Sequence, residues 1–125
     1  MAKRVMIVED NELNTKLFHD LLEARGYDIL QTRDGMEALK MARSEKPDLI
    51  LMDVVMPKVN GFQATRKLSR DERTKHIPII IVTSKDQKTD IMWGKRQGAQ
   101  DYLIKPADEK QLLSTVSRLL MAASA

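Results

Sequence analysis

The chain has 125 residues, a hydrophobic content of 42% and no cysteine. This length suits one domain with a full core, and the lack of cysteine excludes disulfides and thiol chemistry. No apolar run approaches the length of a membrane span, and the N-terminus has no signal-peptide pattern. The net charge is +3, but Lys and Arg are scattered, which falls short of a nucleic-acid footprint. We therefore expect a soluble, cytoplasmic protein.

The first half of the chain predicts three strands separated by two helices. In order, we expect a strand at 4–8, a helix opened by Asn11 or Asn14 and closed by Gly26, a strand at 27–32, a helix at 36–43 and a strand at 49–53. Leu13, Leu17, Leu21 and Leu22 are expected to form the apolar stripe of the first helix, with Phe18 beside it.

The second half repeats the same alternation. We expect a helix through about residue 70, a strand at 79–83, a helix at 90–97 weakened by Gly94, a strand at 102–105 and a helix capped by Asp108. Residues 121–125 are expected to be a frayed tail. Strand followed by helix, five times, predicts an α/β fold with a doubly wound parallel sheet, (βα)5, covered on both faces.

The centre of this pattern is the stretch 49–57, where a short apolar strand lies between Pro47 and Pro57. The strand ends in Asp53, a charge that is costly to bury unless it lies at the strand's mouth with a partner. Open α/β sheets bind their ligands at the carboxyl ends of strands. On this stretch alone, a capping or turn role for Asp53 remains the alternative.

Other strands of the predicted sheet also end in polar side chains: Glu9 and Asp10 follow the first, Thr83 ends the fourth and Lys105 ends the fifth. In a parallel sheet these ends share one edge. Three carboxylates there would repel one another unless a cation lies among them, and oxygen-only ligands favour Mg²⁺. A dication, a Lys and a hydroxyl around a carboxylate predict a phosphoryl-accepting site with Asp53 as nucleophile.

These motifs resemble the receiver domain of two-component response regulators. The resemblance covers about residues 3 to 121 and rests on Glu9-Asp10, Asp53 followed by Met56-Pro57 and Gly61, Thr83, Tyr102, and Lys105-Pro106. It implies a flavodoxin-like sheet of five strands in the order 2-1-3-4-5. It also implies a single receiver domain over residues 1–125 that works as a signalling module and is not an enzyme.

The resemblance further assigns roles to the site residues. Asp53 would accept a phosphoryl group from a sensor histidine kinase, a phosphotransfer protein or a small acyl phosphate. Asp10, Asp53 and the Val55 carbonyl would bind Mg²⁺, with Glu9 acting through water. Lys105 would pair with the phosphoryl oxygens.

The same resemblance implies a switch. Thr83 would swing to the phosphoryl group and Tyr102 would turn inward behind it, reshaping the face made by helix four, strand five and helix five for a downstream protein partner. A cis bond before Pro106 is also implied. Trp93 would belong to this face if it is not core packing.

A finer resemblance differs between the two halves. Residues 9–52 resemble DivK-type cell-cycle regulators, whereas the chain from Asn60 onward resembles PilH-type regulators of twitching motility. The chain is therefore hypothesised to be an intermediate member or a hybrid. No DNA-binding segment follows the last helix, so we expect no direct DNA binding.

Two other classes are alternatives. A haloacid-dehalogenase-type phosphatase would need an Asp two residues after its nucleophile, where this chain has Val55. A flavodoxin would need a hydroxyl- and Gly-rich phosphate loop after the first strand, where this chain has the acidic run 9–12.

Overall fold

Five parallel strands form one sheet in the computed structural model, which describes residues 2–56 and 58–124. The strands are β1 (Arg4–Val8), β2 (Asp28–Thr32), β3 (Leu49–Met52), β4 (Ile79–Thr83) and β5 (Asp101–Ile104). The helices are α1 (Glu12–Glu23), α2 (Gly35–Glu45), α3 (Gly61–Arg70), α4 (Lys88–Gln97) and α5 (Glu109–Ser124). The strand order is β2-β1-β3-β4-β5 with every pairing parallel, which confirms the predicted fold class.

The central strand β3 separates two hydrophobic layers. Leu49 and Leu51 belong to the layer under α1 and α5, whereas Ile50 and Met52 belong to the layer under α2, α3 and α4. Successive side chains of a strand point to opposite faces, so a run of four apolar residues serves both layers. Each is at most 2% exposed and contributes roughly 1.5–3 kcal/mol relative to an exposed side chain.

Three helices begin with a side-chain cap near the carboxyl edge of the sheet. Asn11, Asp34 and Asn60 accept hydrogen bonds from backbone N–H groups three residues later, at 3.0, 2.8 and 3.0 Å. Such caps satisfy N–H groups that have no partner within the helix. Of the two caps considered for the first helix, the structure therefore has Asn11. The connections from β1 to α1 and from β2 to α2 are short, whereas the loop from β3 to α3 spans residues 53–60.

The predicted stripe of α1 is wrong in half of its residues. Leu13 and Leu17 are 78% and 49% exposed, whereas Phe18 and Leu22 are buried and Leu21 is half-buried. Phe18 and Leu22 lie one turn apart on the line that faces the sheet, about 100° around the helix from the line of Leu13 and Leu17. The aromatic residue occupies the core, and the two leucines are left on the surface.

The element ends also differ from prediction. Helix α5 continues to Ser124, so the expected frayed tail is helical over its described part. An Ala-rich segment without Gly or Pro favours this helical extension. Ala125 and the motif residue Pro57 lie outside the described residues. Strand β5 ends at Ile104, which makes Lys105 the first residue of the following loop. In the described ranges, no helix combines the length and the apolar character that crossing a lipid bilayer requires.

Candidate functional site

Three carboxylates meet at the carboxyl edge of the sheet. Glu9 and Asp10 follow β1, and Asp53 follows the neighbouring strand β3, which pairs with β1 through Val8 and Met52. One carboxylate oxygen of each lies within 4.8 Å of those of the other two. Glu9 and Asp53 are buried, and Asp10 is exposed. The predicted cluster is therefore present, open to solvent on the side of Asp10.

Lys105 reaches the same cluster from the loop after β5. Its Nζ lies 2.5 Å from Oε1 of Glu9 and 3.6 Å from Oδ2 of Asp53. Its backbone N–H donates to the Thr83 carbonyl at 2.8 Å, which fixes the loop against β4. A single ammonium group offsets one of the three carboxylate charges, so the site retains a negative charge that a cation would relieve.

Burial raises the pKa of Glu9, and the nearby charge of Asp53 raises it further. The hydrogen bond from Lys105 and the N–H of Asn11, which donates to Oε2 of Glu9 at 3.2 Å, oppose this shift. On Asp53, Oδ1 accepts the Val54 N–H at 2.8 Å, while Oδ2 faces Lys105. The two oxygens of Asp53 therefore have different surroundings.

Gly61 is required by its close contact with the chain segment that carries Asp53. A Cβ atom at Gly61 would lie 2.0 Å from the Asp53 carbonyl oxygen and 2.8 Å from the Val54 Cα. The Gly61 N–H also donates to the Val54 carbonyl at 2.9 Å. Gly61 is not among the described residues with positive φ. Its small size allows α3 to begin directly against the site.

Thr83 and Tyr102 are linked through the backbone of Lys85. Thr83 is fully buried, and its hydroxyl oxygen lies 3.5 Å from the Lys85 N–H, a long contact. The Tyr102 hydroxyl donates to the Lys85 carbonyl at 2.8 Å. Burial raises the pKa of Tyr102 to about 12, with smaller contributions from nearby carboxylates. Sequence reasoning did not find this bridge, since backbone atoms leave no residue-type signal.

Gly94 provides the space into which Tyr102 packs. A Cβ atom at this position would lie 2.9 Å from the Tyr102 ring and 2.9 Å from Cδ1 of Ile81. From sequence, Gly94 was expected only to weaken α4. The structure gives it a packing role, because the ring of Tyr102, 8% exposed, lies against the helix backbone.

The remaining predicted residues lie around these groups. Val55 follows Asp53 in the loop after β3, and its side chain is 59% exposed. The bond between Lys105 and Pro106 is cis, as the resemblance implied. Trp93 is 48% exposed and, with Met92 and Arg96, lines a pocket of about 200 Å³. The surface alternative for Trp93 is therefore the one observed.

The donor set fits a small, hard dication. All three clustered side chains offer carboxylate oxygens, and two of them are withdrawn from solvent. Mg²⁺ takes one or two carboxylates and keeps several waters, which the exposed side of Asp10 allows. Repulsion among like charges at this separation gives a physical reason for cation binding.

Comparison with known proteins identifies the class. Residues 5–117 match the family described as the response regulator receiver domain. The chain belongs to this family, and with the strand order and the acidic cluster it is a receiver domain of the kind found in two-component systems.

Its relatives are receiver proteins as well. The chain is 51% identical to the protein PilH of Pseudomonas aeruginosa, with 94% of this chain and 97% of PilH covered. It is 48% identical to the polar-differentiation response regulator DivK of Brucella ovis, with 96% and 98% covered. Both matches extend over nearly the whole chain, so the chain as a whole is similar to each relative.

A solved structure adds information on the metal. The receiver domain of a sensor histidine kinase from Pseudomonas aeruginosa, with a magnesium ion coordinated in its active-site cleft, is 30% identical to this chain. The TM-score is 0.89, and the alignment covers 96% of this chain and 98% of that one. A receiver domain with a magnesium ion in its active-site cleft is therefore known among the structures similar to this chain.

Proposed function

We propose that this chain is a phosphorylation-switched signalling module whose phosphoacceptor is Asp53. The observation that carries this proposal is the meeting of three carboxylates within 4.8 Å of one another, with the Lys105 ammonium beside them. In the proposed transfer, an Asp53 oxygen forms a bond to phosphorus while the bond between phosphorus and the donor's atom breaks. The protein's part in such a transfer is mainly positioning and charge stabilisation.

The surroundings of Asp53 favour Oδ2 as the attacking oxygen. Oδ1 is held by the Val54 N–H, whereas Oδ2 faces the ammonium group of Lys105 at 3.6 Å. Lys105 is the group that pairs with the phosphoryl oxygens, because it is the cation already in the cluster. Its strong contact with Glu9 holds it at the site before transfer.

We propose that the metal is Mg²⁺. Asp10, Asp53 and the Val55 carbonyl would hold it, with Glu9 acting through water. When bound, Mg²⁺ supplies positive charge that stabilises the phosphoryl oxygens during transfer. Asp10 is the exposed member of the cluster and keeps the site open to the incoming donor. Glu9, buried and paired with Lys105, sets the position of the ammonium group.

The switch is proposed to run through Thr83, Lys85 and Tyr102. If the Thr83 hydroxyl turns toward the phosphoryl group, its long contact with the Lys85 N–H breaks. The carbonyl of the same Lys85 accepts the hydrogen bond from the Tyr102 hydroxyl. A shift in this loop therefore changes the face of α4, β5 and α5, where Trp93 and Met92 are exposed. This face is the proposed binding site for a downstream protein partner.

The phosphoryl donor is proposed to be a sensor histidine kinase or phosphotransfer protein. Leu13 and Leu17 on α1 are exposed just after the acidic loop, and exposed apolar side chains next to a reactive site favour protein docking. We further propose that the module acts in the cytoplasm by protein contacts, without binding DNA and without turning over an external substrate.

Incubation with acetyl phosphate and Mg²⁺ followed by intact-mass measurement tests the proposal. The parent chain should gain one phosphoryl group, and Asp53→Asn should gain none. Asp28→Asn, an exposed substitution at the opposite end of the sheet, should behave as the parent does. Equal phosphorylation of Asp53→Asn would overturn the assignment.

A second arm tests the metal. Asp10→Asn should weaken Mg²⁺ binding by about tenfold or more, measured by calorimetry. Unchanged Mg²⁺ affinity would remove Asp10 from the metal site.

A further inference from the structure

Helices α2 and α3 border a second concave surface, which shares no lining residue with the pocket beside Trp93 on α4. This groove has a volume of about 670 Å³. Its lining residues are mostly cationic: Arg43, Lys58, Arg66, Lys67 and Arg70, with Val59, Gln63 and Asp71. The fold thus brings five of the 21 Lys and Arg residues together here.

The one acidic residue of the groove is already paired. Asp71 accepts from Nε of Arg43 at 2.8 Å and from Arg73 at 3.1 and 3.0 Å. Arg73 and Arg43 hold the pKa of the Asp71 carboxyl well below its usual range. Over residues 2–56 and 58–124, no ion pair involves the other four cations of the groove, Lys58, Arg66, Lys67 and Arg70.

Helix stability explains only part of this charge. Lys67 and Arg70 lie in the last turn of α3, where cations interact favourably with the helix dipole. Arg66 lies in the middle of α3, and Lys58 precedes the N-terminus of this helix. The helix dipole does not stabilise a cation at either position. Arg66 and Lys58 are exposed. Their charges therefore serve either solvation or the binding of an anionic ligand.

The groove presents donors around a small apolar area. The Gln63 side-chain oxygen accepts the Asn60 N–H at 3.1 Å, which leaves its amide N–H groups as donors. Val59 is half-buried and lines the groove together with the basic side chains. Guanidinium groups bind carboxylates in a bidentate way. None of the described lining residues is aromatic, so the groove lacks the stacking surfaces that single-stranded nucleic acids use.

We propose that this groove binds an acidic segment of a partner protein. Its carboxylates pair with Arg66 and Arg70, which are one turn apart on α3, and an apolar side chain of the segment contacts Val59. The concave shape fits a narrow extended segment, whereas a flat bilayer surface would meet only the rim. The volume lies within the range of ligand-binding clefts.

Fluorescence anisotropy with a labelled probe peptide tests this proposal. The probe is a peptide rich in Glu and Asp with one Leu, and its counterpart carries Gln and Asn in place of the acids. The full chain should bind the acidic probe and not the neutral one. The double variant Arg66→Ser with Arg70→Ser should bind the acidic probe about tenfold more weakly.

The matched control removes the same charge elsewhere. Arg25→Ser with Lys110→Ser changes two exposed cations outside the groove and should alter affinity less than twofold. Both variants should remain folded at the assay temperature, which circular dichroism checks, since all four side chains are exposed. An equal loss in both variants, or no binding by the parent, overturns the proposal. So does groove-dependent binding of phosphatidylglycerol vesicles or of a DNA oligonucleotide without binding of the peptide.

Discussion

Gly61→Ala tests whether the contact between α3 and the Asp53 segment positions the site. The added methyl group would lie 2.0 Å from the Asp53 carbonyl oxygen, and real Cβ atoms essentially never approach closer than 3.0 Å. The backbone must therefore separate by about 1 Å, because neither partner is a flexible side chain. Such overpacking typically costs about 1–3 kcal/mol or more, and Ala returns up to about 1 kcal/mol of helix propensity.

We therefore expect Gly61→Ala to lower the free energy of unfolding by about 2 kcal/mol, which for a domain of this size is a fall in melting temperature of roughly 5–10 °C. Thermal unfolding by circular dichroism measures this change. Because Asp53 moves with its carbonyl group, phosphorylation by acetyl phosphate should also slow by at least about tenfold. Parent-like stability together with a parent-like rate would refute the reasoning.

Three further substitutions test packing, backbone conformation and electrostatics. Gly94→Ala should displace the Tyr102 ring, because ring atoms would lie 2.9 Å from the new methyl group. The NMR signals of the ring should therefore change. Unchanged signals together with a gain in stability of about 1 kcal/mol from helix propensity would contradict this. Lys46→Gly should raise stability by about 0.5–1 kcal/mol in urea unfolding, because Lys46 ends α2 at φ 48°, whereas Lys46→Ala should give no gain. Asp71→Asn should lower the melting temperature at pH 7. Because the folded-state pKa of Asp71 is depressed, its contribution is present above the unfolded pKa and is lost as pH falls, so the difference from the parent should shrink below about pH 4.

The sheet could be predicted because its signals are local. Most of the strands are short runs rich in Val, Ile, Leu and Met, and the run at 49–52 serves two layers with no polar residue. The polar residues that follow the strands then had to meet at one edge, since all strands are parallel. The positions of Glu9, Asp10, Asp53 and Lys105 follow from this topology.

What could not be predicted depends on tertiary contacts. The side of α1 that faces the sheet is chosen by competition between Phe18 and Leu17, which propensity and periodicity do not decide. The roles of Gly61 and Gly94 come from atoms brought close by folding, so the sequence shows a glycine without its reason. The basic groove is lined by residues of α2, of α3 and of the loop before α3. Because these charged residues are separated along the chain, the sequence alone does not show that they lie together.

Chemical trapping of the phosphorylated residue tests the central claim most directly. After incubation with acetyl phosphate and Mg²⁺, borohydride reduces an aspartyl phosphate to homoserine, which peptide mass spectrometry locates. The proposed function predicts homoserine at residue 53 alone. Trapping at Glu9 or Asp10, or a phosphoryl group on a residue other than Asp53, would contradict it.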